Sequence, residues 1–222
     1  MNSDFDTIIE RLGQEGILPV VVIERASDAV AIADALVAGG CSLVEITLRT
    51  EAALDAIAAL ANHETIIVGA GTVLTPAQVI AARAAGARFL VAPGLNEETL
   101  THARISALPM IPGIATATEL QIAWNLGARV VKFFPAASLG GPAAIRALSS
   151  ILPEVRFLPT GGIRESDLPD YLAVPATLAC GGTWLAAPDL LSTQNFAEIT
   201  RRTQAARTIA DHCPGRTGRV PR

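Results

Sequence analysis

Val44-Glu45-Ile46-Thr47-Leu48-Arg49 alternates apolar with polar side chains, and Thr50-Glu51 follows it directly. Successive side chains of a strand point to opposite faces, so Val44, Ile46 and Leu48 share one face. Glu45, Thr47 and Arg49 share the other. The apolar face suits packing against helices, and the polar face would point into the interior of a closed sheet. After Thr50-Glu51 an alanine-rich stretch runs to residue 61. One strand followed by one helix is the unit from which the rest of the chain is built.

Strand starts fall near Leu18, Leu43, Thr65, Arg88, Leu108, Arg129, Val155 and Ala176, spaced 20 to 26 residues apart. Helical stretches lie between them, over 28–38, 51–61, 76–85, 97–106, 117–126 and 142–150. Ser27-Asp28, Thr50-Glu51, Thr75-Pro76, Asn96-Glu97 and Thr116 supply start signals. Gly39-Gly40, Gly86 and Gly127 supply stops. Eight strands, each followed by a helix, predict an α/β fold, a (β/α)8 TIM barrel. A doubly wound open sheet is the alternative. It would carry a Gly-x-Gly-x-x-Gly turn after its first strand, whereas here that strand ends in Ile23-Glu24-Arg25-Ala26-Ser27. Residues 4–14 form an extra N-terminal helix, and the last helix runs from Asn195 to Asp211. Residues 1–212 are therefore expected to be one barrel domain. Residues 213–222, rich in Arg, Gly and Pro, are expected to be a disordered basic tail.

Composition narrows the function. Half of the 222 residues are hydrophobic and 17 % are charged, enough for a sizeable core. The net charge of −4, with no basic face in the body of the chain, argues against nucleic acid as a partner. No apolar run approaches the roughly 20 residues of a membrane helix. The acidic start Met1-Asn2-Ser3-Asp4-Phe5-Asp6 lacks the order of a signal peptide. Cys41, Cys180 and Cys213 are far apart and odd in number, which fits a reducing cytoplasm.

Lys132 is the only lysine, against sixteen arginines, and it sits inside Val130-Val131-Lys132-Phe133-Phe134-Pro135. Burial favours the neutral form of a lysine, and a neutral amine is a nucleophile toward carbonyls, which a guanidinium is not. The bland alternative is an arginine-biased chain whose one lysine snorkels from a strand end. Active residues of barrels gather at the C-terminal ends of the strands. There the chain carries Gly69-Ala70-Gly71-Thr72, whose small residues would let a ligand approach the backbone. It also carries Ala92-Pro93-Gly94, Ile111-Pro112-Gly113, Thr160-Gly161-Gly162 and Gly181-Gly182-Thr183. Two Gly-Gly pairs at the ends of strands 7 and 8 match the phosphate position of many barrels. His63, His102 and His212 fall away from strand ends, so no metal site is expected. Lysine, carboxylate, arginine and a phosphate cradle together describe Schiff-base chemistry on a phosphorylated oxo-acid.

These segments resemble the 2-dehydro-3-deoxy-phosphogluconate (KDPG) / 4-hydroxy-2-oxoglutarate (KHG) aldolase family over about residues 8–210. The matching segments are Leu-Val-Glu-Ile-Thr-Leu-Arg-Thr at 43–50, Val-Gly-Ala-Gly-Thr-Val-Leu at 68–74, Ala-Pro-Gly-Leu at 92–95 and Ile-Pro-Gly-Ile-Ala-Thr at 111–116. Val-Lys-Phe-Phe-Pro-Ala at 131–136, Pro-Thr-Gly-Gly-Ile at 159–163 and Gly-Gly-Thr-Trp-Leu at 181–185 complete the set. The resemblance implies a class I aldolase without metal or cofactor, a homotrimer, acting on a phosphorylated 2-keto acid. It implies Lys132 as the Schiff-base lysine and Glu45 as general acid/base. Arg49 and Thr72 would hold the pyruvyl carboxylate, and Pro93 and Phe134 would line the pocket. Gly161, Gly162 and Thr183 would bind phosphate; family members often have Ser at this last position, and the hydroxyl is kept here. Rival readings are an aldolase for the galactonate-derived epimer or for unphosphorylated 4-hydroxy-2-oxoglutarate, a phosphate-binding barrel isomerase or epimerase that would not need Lys132, and a binding barrel without catalysis.

Overall fold

The computed structural model describes residues 3–213; of the tail expected at 213–222, Cys213 packs against the core and residues 214–222 lie outside the described residues. In chain order the main elements are Ser3–Glu15 (α1), Ile17–Val21 (β1), Ala29–Ala38 (α2), Leu43–Thr47 (β2), Ala53–Leu60 (α3), Ile67–Gly71 (β3), Pro76–Ala84 (α4), Phe89–Val91 (β4) and Glu97–Ile105 (α5). Met110–Ile111 (β5), Gly113–Ile114 (β6), Ala117–Asn125 (α6), Val130–Phe133 (β7), Gly141–Ser149 (α7) and Arg156–Pro159 (β8) follow. Leu168–Leu172 (α8), Cys180–Gly182 (β9), Pro188–Ser192 (α9) and Phe196–His212 (α10) end the chain.

The fold is α/β, with a parallel, curled sheet. Six strands are ordered β5-β4-β3-β2-β1-β9, and three more β6-β7-β8. Every pairing is parallel. The winding never reverses, so the doubly wound order is not found. The structure differs from eight unbroken strands at two places. Expected strand 5 is split into β5 and β6 by Pro112, which has no N–H to give to a ladder. Between β8 and the last strand the pairing thins to two bridges, Phe157 with Thr177 and Thr160 with Gly181. The last strand accordingly begins at Cys180 rather than near Ala176.

Start signals work where the side chain reaches back to the helix. Thr75 and Thr116 form capping boxes with Gln78 and Glu119, and Asn96 accepts from the Thr99 amide. Asp28 and Thr50 do not cap. Thr50 Oγ1 donates instead to the Ile23 carbonyl at 2.5 Å, and α3 starts later, at Ala53.

Two apolar cores result. One fills the space between sheet and helices and takes Val44 and Ile46. The other lies inside the curl and is floored by α1, whose Ile8, Ile9 and Leu12 pack with Leu18, Leu43, Phe89, Val130 and Leu158. Each such side chain contributes about 1.5–3 kcal/mol by leaving water. Polar contacts fasten this plug. Glu15 Oε1 accepts from the Ser42 amide at 2.9 Å and from the Ser42 hydroxyl. Arg11 Nη1 donates to Ser42 Oγ at 3.1 Å, and Arg207 Nη1 on α10 donates to the carbonyl of Gln14 at 3.0 Å and to that of Glu15.

Burial pushes the Glu15 carboxyl above its ordinary value of 4.5, against the pull of Ser42, Arg207 and Arg11, and leaves Oε2 without a protein partner. A carboxyl raised in this way binds more protons folded than unfolded. Its contribution to stability therefore falls as pH rises from the unfolded value through the folded one. Glu15→Gln keeps an acceptor for Ser42 and removes the buried charge. Thermal unfolding of this variant is expected to lose part of its pH dependence between mildly acidic and neutral conditions, with an unchanged or higher Tm at neutral pH. A fall of several degrees at neutral pH would show that the charge itself holds α1 in place.

Candidate active site

Two residues along from the floor, the inward faces of β2 and β7 turn polar. Leu43 and Val130 belong to the floor core, whereas Glu45 and Lys132 lie above them. Glu45 is 0 % exposed and Lys132 4 %. Lys132 Nζ donates to Glu45 Oε1 at 3.2 Å, joining residues 87 apart in sequence. Glu45 Oε2 is buried without a protein partner. The ring centre of Phe134 lies 5.6 Å from Nζ, within cation–π range. Thr47, expected beside Glu45 on the inward face, is buried there, but its hydroxyl is committed to the Val21 carbonyl of β1 at 3.2 Å. Arg49 follows β2 and is exposed at the rim.

The glycines do not all do what the sequence suggested. Gly69 and Gly71 were expected to admit a ligand. A Cβ at Gly69 would instead lie 2.6 Å from Cδ2 of the Phe89 ring, and one at Gly71 would lie 2.5 Å from Glu45 Cγ. These glycines make room for the protein's own side chains. Gly113, paired with Lys132, likewise lets the Pro93 and Gly94 backbone approach. The Gly181-Gly182 pair is filled by Thr160 and by the Trp184 ring.

Gly161 and Gly162 behave differently. Both have left-handed φ, 96° and 76°, which a residue with a side chain rarely adopts. Their loop is clasped by the segment after β7: the amides of Ala136 and Ala137 donate to the carbonyls of Thr160 and Gly161 at 2.8 and 3.0 Å. A Cβ at Gly161 would touch the Phe134 ring at 3.0 Å. Thr183 is exposed at the end of β9, and the Thr160–Gly181 bridge brings its strand beside the Gly161 loop.

Thr72, just past β3, has φ 57°. For a β-branched residue this costs on the order of 1–3 kcal/mol.

Glu45, Lys132 and Phe134 are thus in one cluster, with Pro93 packed against the neighbouring Gly113 and Gly161 against Phe134. Arg49, Thr72 and Thr183 stand at strand ends on the same side. Thr160 is buried between the two Gly-Gly loops, where its side chain fills the space beside Gly181. His63 serves a loop: Nδ1 accepts from the amides of Thr65 and Ile66, and Nε2 lies 3.2 Å from Asp34 Oδ1. Among the described residues, no three His, Cys, Asp or Glu side chains gather as metal ligands, and no helix is long and apolar enough to cross a membrane. A shallow groove of about 220 Å³ lies at the opposite end of the sheet, lined by Phe5, Met110 and Arg129, away from this cluster.

Known proteins resemble this chain in sequence and in fold. Residues 8–202 match the family model "KDPG and KHG aldolase". The 2-dehydro-3-deoxy-phosphogluconate aldolase of Treponema pallidum (strain Nichols) is 45 % identical over 199 residues, covering 89 % of this chain and 95 % of that protein. The KHG/KDPG aldolase of Escherichia coli (strain K12) is 44 % identical over 191 residues, covering 86 % and 90 %. The solved KDPG aldolase of Legionella pneumophila, with pyruvate captured at low pH as a covalent carbinolamine intermediate, superposes with a TM-score of 0.85 at 38 % identity, over 88 % of this chain and 96 % of that one. The chain belongs to the KDPG and KHG aldolase family.

Proposed function

We propose that this chain is a class I aldolase, working without metal or cofactor. It cleaves 2-dehydro-3-deoxy-6-phosphogluconate to pyruvate and D-glyceraldehyde 3-phosphate, and 4-hydroxy-2-oxoglutarate to pyruvate and glyoxylate. The observation that carries this reading is the buried amine of Lys132 held 3.2 Å from the Glu45 carboxylate at the C-terminal side of the sheet. The nearly full-length similarity to curated aldolases supports it.

Neutral Lys132 adds to the C2 ketone to give a carbinolamine, and Glu45 relays the protons that let water leave. The resulting iminium is an electron sink. Glu45, directly or through one water, removes the C4 hydroxyl proton. The C3–C4 bond breaks, its electrons pass into the iminium to form an enamine, and the aldehyde departs. Protonation at C3 and hydrolysis release pyruvate and restore the amine. One Glu45 oxygen accepts from Lys132, and the other is free of protein partners to exchange a proton with substrate. Arg49 and Thr72 hold the pyruvyl carboxylate, Pro93 and Phe134 line the pocket, and Gly161, Gly162 and Thr183 bind the phosphate. Counting Met110–Ile114 as one strand and the 157–177 and 160–181 bridges as its closure, the sheet is one (β/α)8 ring. The protein works as a cytoplasmic homotrimer, with residues 1–212 as its barrel domain.

The lone lysine makes a decisive test. Borohydride with pyruvate should add one pyruvyl unit to the peptide containing Val130 to Pro135, and Lys132→Arg should be folded, unlabelled and inactive. An adduct confined to the N-terminus, or an active Lys132→Arg enzyme, would overturn the reading. Glu45→Gln is expected to slow cleavage by ~10²-fold or more, and a near wild-type kcat would remove Glu45 from the mechanism. Gly161→Asp places charge and bulk in the left-handed loop. It should raise KM for the phosphorylated substrate far more than for 4-hydroxy-2-oxoglutarate, whereas equal losses on both would argue for general damage.

A further inference from the structure

We propose that Gly71 is a positioning residue for Glu45, and that its missing side chain sets the reach of that carboxylate to Lys132. The inference rests on the aldolase reading and extends it to a residue that touches no substrate. In the β2–β3 register Glu45 pairs with Gly69, and Thr47 with Gly71. Strand side chains lean along the strand. The Glu45 carboxylate therefore lies over Gly71, one pair further on, rather than over its own partner. A Cβ at Gly71 would sit 2.5 Å from Glu45 Cγ and 2.6 Å from Cδ, and closer still to Oε1, the oxygen bound to Lys132. Carbon atoms in contact lie about 3.5–4.0 Å apart, so the overlap is about 1 Å.

The Glu45 side chain is what must give way. Glu45 is fully buried, and its other register neighbour, Val20 on β1, is buried as well. The Gly71 carbonyl accepts from the Leu48 amide at 2.8 Å, which ties that end of β3 to β2. Gly71 lies in extended strand backbone and not at a left-handed φ, so alanine is acceptable to the main chain there. The cost of a methyl group falls on the position of the Glu45 carboxylate. Gly69 is the internal contrast, because its space is taken by the Phe89 ring on the floor.

The test is a four-member cycle of wild type, Gly71→Ala, Glu45→Ala and the double variant, with kcat and KM measured for each. Gly71→Ala should lower kcat by ~10²-fold with little change in KM, the size expected for loss of a general acid/base. Glu45→Ala removes Cγ and the carboxylate, the atoms that the new methyl would meet. Adding Gly71→Ala in that background should therefore cost no more than about threefold further, a strongly non-additive result. Gly69→Ala should instead lower stability and combine additively with Glu45→Ala. Losses that add in the Gly71 cycle, or a near wild-type kcat in Gly71→Ala, would overturn the proposal. If Gly71→Ala does not fold, the double variant must fold as well as Glu45→Ala does, and its failure to do so counts against the proposal equally. A crystal structure of Gly71→Ala, or of the double variant where the single one does not fold, reads the geometry without reference to the reaction. The Glu45–Lys132 separation should exceed 3.2 Å in the single variant. In the double variant the new methyl should occupy the vacated space at ordinary van der Waals distances. An unchanged separation, or a persisting clash, sinks the idea. Absence of cleavage by the wild type would count against the aldolase reading and leave this structural outcome to decide the role of Gly71.

Discussion

Lys132 and Glu45 meet inside the curl of the sheet, and neither can be satisfied anywhere else. Both side chains are withdrawn from water, and each is supplied by a different sheet segment, β7 and β2. Desolvating two ionisable groups costs several kcal/mol each, and their attraction offsets this only while the geometry holds. Removing one partner typically costs about 3–5 kcal/mol, because the other is left unmatched. The pair therefore demands a scaffold that fixes two strands remote in sequence to within a hydrogen bond. A curled parallel sheet does this by ladder hydrogen bonds running from strand to strand around the interior, with Gly113 in register beside Lys132 and Gly69 beside Glu45.

The same constraint explains how the molecule is divided between its two ends. At the floor, α1 seals the interior with Ile8, Ile9 and Leu12 over large rings and branched chains, and water cannot reach the pair from below. Toward the strand ends, bulk gives way to glycine, and the backbone departs from ordinary conformations at Thr72, Gly161 and Gly162. At Thr72 this is strain, which persists only when surrounding structure over-determines it, whereas glycine adopts such a φ freely. The clasp of Ala136 and Ala137 fixes the Gly161 loop, and the apolar floor supplies stability that the open end lacks.

What was legible in the sequence follows from the range over which each signal acts. The two faces of β2 could be read from six consecutive residues, and Val44 and Ile46 do face the helices while Glu45 and Thr47 face inward. Caps at Thr75, Asn96 and Thr116 depend on partners three residues away, so they too were legible. The lone lysine in an apolar run pointed to a buried amine, and Lys132 is buried beside Glu45. Illegible features depend on residues far apart. Glu15 finds Ser42 across 27 positions, and Thr50 finds the Ile23 carbonyl instead of capping its helix. The glycines misled for the same reason: a small residue at a strand end announces space, but not whether a substrate, a carboxylate or an indole will fill it.

That ambiguity bears on how specificity can be distributed over such a site. The pair and its supports form a rigid interior, in which Gly71, Gly113 and Phe89 leave no slack. Arg49 and Thr183, by contrast, are exposed at strand ends. Under the proposed roles Arg49 meets the pyruvyl carboxylate and Thr183 the phosphate, so both ends of the substrate are held from exposed positions. The carbon that the amine attacks must instead come to where Lys132 and Glu45 meet in the buried interior. Elements on the rim can change length, charge or a hydroxyl's methyl without moving the amine. Differences at either end of a substrate can therefore be met at the rim, while the point of attack is fixed by a core in which each added methyl would collide with a neighbour.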